Sequence, residues 1–115
     1  METINHECYV SLEVAKLLKQ AGFDWDCKDK FYDFTNHCKT YKKPTLEVAQ
    51  RWLRENHGLV VQLDFLRHNK WWYLIITGDS VITTLANPRV KYDTYEEAQE
   101  AGIKECLIIL LEQRK

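Results

Sequence analysis

Glycine and proline are scarce, at 4 and 2 of 115 residues, which together with the aromatic content argues against a disordered chain. Charge of one sign is equally lacking. Sixteen Lys and Arg stand against 17 Asp and Glu, a net charge of −1, so no global excess draws the protein to nucleic acid or to a membrane surface. Long apolar runs are missing too: Cys106 to Leu111 stops at six residues, far below the roughly 20 that span a bilayer. There is no Cys-x-x-Cys pair, no glycine-rich phosphate loop and no nucleophile elbow, which removes the commonest signatures of zinc sites, nucleotide enzymes and serine hydrolases. The first residues, Met1 to Glu7, are acidic and lack the basic-then-apolar layout of a signal peptide. A cytoplasmic protein is therefore expected, with Cys8, Cys27, Cys38 and Cys106 as reduced thiols.

What the chain does contain is apolar mass. Residues of hydrophobic type make up 45%, including four Trp, six Tyr and four Phe. That is enough for one domain, spanning 1–115, to build a core without metal or disulfide staples. Three segments open alike: Ser11-Leu12-Glu13, Thr45-Leu46-Glu47 and Thr94-Tyr95-Glu96. In each, a hydroxyl can cap an orphan backbone N–H and a carboxylate meets the positive end of the helix dipole. Thr94 and Glu97 also have capping-box spacing.

These starts predict helices from about Leu12 to Gln20, Leu46 to Asn56 and Tyr95 to Glu112. The first presents Val14, Leu17, Leu18 and Ala21 on one face and stops at Gly22. The second presents Leu46, Ala49, Trp52 and Leu53 and stops near Gly58. The third has a core stripe of Tyr95, Ala98, Gly102 and Cys106, but becomes apolar all round from Cys106 to Leu111. Between the second and third helices, Leu59 to Leu66, Trp71 to Thr77 and Val81 to Leu85 alternate or are rich in β-branched and aromatic residues. Short polar links join them, so a three-stranded antiparallel meander is expected. Phe31 to Phe34 is a candidate fourth, edge strand within an irregular segment at 24–43. The fold class is α+β, three or four antiparallel strands with three helices mainly on one face.

From Thr45 onward the order helix, three strands, helix is that of the double-stranded-RNA-binding domain. That module docks phosphate with basic residues at the start of its last helix, where this chain has Glu96, Glu97 and Glu100. The shared order therefore implies a common layout and no shared function.

Four chemistries are open to the side chains. His6, Cys8, Cys27, His37 and Cys38 are all zinc-ligand types, but their spacing does not form the close pairs of a structural site. Any Cys could meet a His in space, although no catalytic motif surrounds one. Asp24, Asp26, Asp29 and Asp33 are interleaved with Trp25, Phe31 and Phe34, without the glycine and terminal glutamate of a calcium loop. Basic and aromatic residues do interleave: Lys39, Tyr41, Lys42 and Lys43, then Arg51 and Arg54, then Arg67 and Lys70 before Trp71-Trp72-Tyr73. Such a mixture can serve as a single-strand stacking platform.

Apolar surplus points to a different class. Leu107, Ile108 and Leu111 fall off the stripe that the third helix needs for its core, and Trp71 and Tyr73 occupy one of two apolar strand faces. A partner, a second copy of the chain or, within one chain, the first helix or the 24–43 segment must cover them. The expected function is a non-enzymatic binding or accessory module acting through protein contact, self-association included, without cofactor, metal or membrane. Single-stranded nucleic-acid binding is the alternative.

A resemblance runs across most of the chain. Ser11 to Lys19, Gly22-Phe23, Cys27, Pro44-Thr45-Leu46, Trp52-Leu53-Arg54-Glu55, the strand around Trp72-Tyr73, and Tyr95-Glu96-Glu97-Ala98 occur in this order. The pattern resembles a group of small uncharacterised proteins of Bacteroides-type gut bacteria and their phages or prophages. That implies a cytoplasmic protein associated with mobile elements, and brings no catalytic residue or cofactor. The resemblance implies a shorter and less basic segment where this chain has Lys28 to Lys43.

Overall fold

The structure is a computed structural model that describes residues 8–35, 37–78, 80–82 and 91–113. Helix α1 spans Leu12–Ala21. Ser11 Oγ accepts the Val14 N–H at 3.3 Å, and the helix ends in a left-handed Gly22 at φ 95°. There the Phe23 N–H reaches the Leu18 carbonyl and the Gly22 N–H reaches Lys19, a paired closure that satisfies carbonyls the helix leaves open. Helix α2, Leu46–His57, repeats the design with Thr45 as cap and Gly58 at φ 66° as stop, and buries Leu46, Ala49, Trp52 and Leu53. Helix α3, Tyr95–Gln113, starts where Thr94 Oγ1 accepts the Glu97 N–H and donates to the Glu97 carboxylate, both at 3.1 Å.

Strands β3 (Leu59–Leu66) and β4 (Lys70–Thr77) pair antiparallel along their whole length, Val61 opposite Ile75 and Leu63 opposite Tyr73. A tight turn at Arg67–Asn69, with His68 and Asn69 at positive φ, joins them. Strand β5, Ser80–Ile82, adds a short edge to β4; residues 83–85 of the expected third strand lie outside the described residues. Tyr92 continues that edge by exchanging both backbone hydrogen bonds with Trp71.

Helix α3 is the centre of the molecule. It packs against β3 and β4 on one side and against α1 and α2 on others. Its approach to the sheet is set by Gly102, where a Cβ would lie 2.5 Å from Val61 Cγ1 and 3.2 Å from the Tyr73 ring. This placement explains the all-round apolar turn: Ile103, Cys106 and Leu107 are each 0% exposed, as expected of a helix covered on several flanks. The expectation that Leu107 points away from the core is therefore corrected. Tyr73, expected on an outer face, is also interior, and its hydroxyl donates to the Glu105 carboxylate.

A second correction concerns the 24–43 segment. Phe31 to Phe34 does not extend the main sheet. Instead β1 (Lys30–Asp33) and β2 (Lys39–Lys42) form a separate two-stranded hairpin. Phe31 lies opposite Tyr41 and Asp33 opposite Lys39. The strand finds its hydrogen-bond partners locally, across a turn in which His37 and Cys38 adopt φ of 55° and 54°. Tyr41, 8% exposed, anchors the hairpin to the core next to α1.

Candidate anionic-ligand interface

Alternation along the hairpin separates its residues into two sets. Phe31, Asp33, Lys39 and Tyr41 share one face; Lys30, Tyr32, Thr40 and Lys42 share the other. On the first face, Lys16 of α1 pairs with Asp33 at 3.3 Å. The Asp33 carboxylate also accepts the Thr35 hydroxyl at 2.6 Å and the Thr35 N–H at 3.1 Å. The Thr35 hydroxyl bond foremost, with Lys16 beside it, holds Asp33 below the usual carboxylate range. Lys16 and Lys19 both lie over the Tyr41 ring, 5.7 and 5.1 Å from its centroid, contacts that favour a cation on an aromatic face.

The second face borders a cleft of about 250 Å³ between the hairpin and α1, lined by Ala15, Lys19, Phe23, Lys30, Thr40 and Lys42. Among the described residues no carboxylate lines it. Lys42 is fixed there because its ammonium donates to the carbonyls of Asp24 and Trp25, each at 3.0 Å. Lys19, Lys30 and Lys42 form no ion pair with a described residue. Beyond the cleft, Tyr32 and Phe34 stand 60% and 77% exposed. Their rings are stacked, 6.4 Å apart and 21° from parallel.

The candidate nucleic-acid residues divide by position. Lys39, Tyr41 and Lys42 belong to the hairpin, and Lys43 follows it, seated over the Tyr9 and Phe31 rings at 4.9 and 5.0 Å. Arg51 lies over Trp25 at 5.4 Å and pairs with Glu55 at 3.7 Å, and Arg54 is exposed on the same helix. Lys70 sits apart on β4, neutralised by Asp93; the Arg67 side chain lies outside the described residues. Tyr41 is a buried anchor with no exposed ring for a base to stack on. The residues missed by the sequence reading are Lys19, Lys30, Tyr32, Phe34 and Thr40. Lys30, Tyr32 and Phe34 form an i, i+2 series too short to stand out as a strand face, and nothing in the sequence around Lys19 or Thr40 marks them.

Of the expected protein-contact residues, Leu107 and Tyr73 are interior, and Trp71 is wedged edge-on between Phe65 and Tyr95 at 4.9 and 5.2 Å. Ile108 remains 37% exposed, with Leu111 half-buried against the core. Glu100, one of the three glutamates at the start of α3, accepts the Ser11 N–H at 2.6 Å.

The thiols lie in different places. Cys38 is exposed on the hairpin turn, Cys8 and Cys27 are half-buried, and Cys106 is buried, its thiol pushed up to about 12 by desolvation and then by Glu105. Burial also raises the Cys27 thiol. Among the described residues no three His, Cys, Asp or Glu side chains converge as metal ligands, and His6 lies outside them. No described helix is long and apolar enough to cross a membrane. Compared with known protein families, with curated proteins and with solved structures, the chain matches none.

Proposed function

We propose that this protein is a non-catalytic binding module for single-stranded nucleic acid, with the β1–β2 hairpin as its platform. The observation that carries the reading is the stacked Tyr32–Phe34 pair, left in solvent beside lysines that no described carboxylate neutralises. Aromatic surface next to positive charge is what a base-stacking, backbone-tracking site requires. The net charge of −1 does not oppose it, because a ligand responds to the local field and not to the sum. A homodimer through the end of α3 has less support. With Leu107 interior, Ile108 and Leu111 are a small remnant of a surface that needs about 800 Å² per partner.

The test is a fluorescence-anisotropy titration with a labelled single-stranded oligonucleotide at two salt concentrations. Binding should weaken steeply with salt. Tyr32→Ala and Phe34→Ala should each reduce affinity by about 1–3 kcal/mol, the usual worth of one base stacked on an aromatic ring. No binding at low salt, or binding untouched by both substitutions, would refute the proposal.

A further inference from the structure

The cleft beside the hairpin is a better fit to the end of a strand than to its middle. Three lysines, Lys19, Lys30 and Lys42, and the Thr40 hydroxyl line it above an apolar floor of Ala15 and Phe23. Lys42 is held by two backbone carbonyls, and Lys19 rests against the Tyr41 ring. Two of the three ammonium groups are therefore positioned before any ligand arrives. No described carboxylate satisfies them, whereas the neighbouring Lys16 is paired with Asp33. A cleft of about 250 Å³ is smaller than the roughly 300–1,000 Å³ sites that enclose drug-sized ligands. It suits one compact anion.

We propose that this cleft is a phosphate site that captures the terminal phosphomonoester of a single strand, the end bases of which stack on Tyr32 and Phe34. The inference rests on the nucleic-acid reading above and adds the end-specificity. A phosphomonoester carries close to two negative charges at neutral pH, a backbone diester one, and three lysines that no described carboxylate neutralises favour the former. The register supports the path: Tyr32 lies on the same hairpin face as Lys30, Thr40 and Lys42, and Phe34 continues outward from it. A phosphate seated among the lysines thus lies at the inner end of the aromatic pair.

The test uses the full chain and one short labelled oligonucleotide in three forms, with a 5′-phosphate, with a 3′-phosphate, and with hydroxyls at both ends. One phosphorylated form should bind at least about tenfold more tightly than the hydroxyl form, and inorganic phosphate should compete away that advantage. In Lys19→Gln and Lys30→Gln, whose melting temperatures are measured as a folding control, the ratio should fall towards one. Equal binding of all three forms would overturn the end-specificity while leaving the single-strand reading standing. No binding of any form would overturn both. A phosphate preference that survives in both variants would place the phosphate elsewhere and refute the cleft.

Discussion

Gly102→Ala places a methyl group where α3 meets the sheet. In an open helix interior that change is favourable by about 1 kcal/mol, because glycine loses the most backbone entropy on folding. Here the new Cβ would lie 2.5 Å from Val61 Cγ1 and 3.2 Å from two atoms of the Tyr73 ring. Val61 is β-branched and 3% exposed, and Tyr73 is 5% exposed and tied to Glu105, so neither can swing aside. Overpacking of this kind costs about 1–3 kcal/mol. The two effects together leave the variant about 0–2 kcal/mol less stable than the parent, a fall of up to about 8–10 °C at roughly 4–5 °C per kcal/mol.

The sharper readout is the coupling. Val61→Ala alone should cost about 1.5 kcal/mol or more for its buried methyl groups. Combined with Gly102→Ala, it also removes the clash. The double variant should therefore be more stable than the sum of the singles by about 1–2 kcal/mol, well above the additivity error of distant sites. Urea denaturation of the four proteins measures all the terms. Gly102→Ala stabilised by the full 1 kcal/mol or so, with an additive double variant, would mean that α3 does not approach the sheet this closely.

Two further outcomes follow from burial. Cys106 titrates near 12 in the fold and 9.0 when free, and Tyr73, buried and bonded to Glu105, is raised above the phenol value of 10.0. A raised folded pKa means stability that is complete below the unfolded value and lost as pH rises towards the folded one. Cys106 should thus cost about 1.4 kcal/mol per pH unit from pH 9 towards 12, with Tyr73 adding to the loss above pH 10. Urea midpoints measured at pH 8, 9 and 10 should fall progressively, less so between 9 and 10 in Cys106→Ala; a flat wild-type profile would contradict the burial. Leu107→Glu should unfold the protein at a cost above about 3 kcal/mol, since it buries a charge in the core. Ile108→Glu, at a 37% exposed position, should change stability by less than about 1 kcal/mol. Circular-dichroism melts of the pair distinguish this arrangement from one in which both side chains face outward.

Helices α1 and α2 were legible because every local signal agreed. Capping hydroxyl, first-turn glutamate, apolar stripe and terminal glycine all specify the same boundaries. The end of α3 was legible as a helix but not as a core element. Spacing tells how many faces are apolar, not how many neighbours cover them, and the covering of Leu107 depends on how α1 and α2 dock. The hairpin was harder still. Its strands have four residues each, too few for a period to emerge, and its turn places His37 and Cys38 at positive φ. Neither residue is the glycine or asparagine that announces such a turn.

The cleft hides for a related reason. Lys19 on α1 reads as an ordinary solvated cation, Lys30 as polar punctuation in a loop, and Lys42 as one of a basic run with Lys39 and Lys43, so the three meet only once the hairpin folds back on the helix. Net charge conceals the result. Glu96, Glu97 and Glu100 stand at the start of α3, while Lys16, Lys19, Lys28, Lys30, Lys39, Lys42 and Lys43 share α1 and the hairpin region with Glu13, Asp24, Asp26, Asp29 and Asp33. A sum of −1 says nothing of the cleft itself, where Lys19, Lys30 and Lys42 meet and no described carboxylate enters the lining. At physiological ionic strength fields fade over about 8 Å, so a ligand at the hairpin responds to the lysines around it. The same screening makes the attraction depend on salt, which is why the two-salt titration bears directly on this surface.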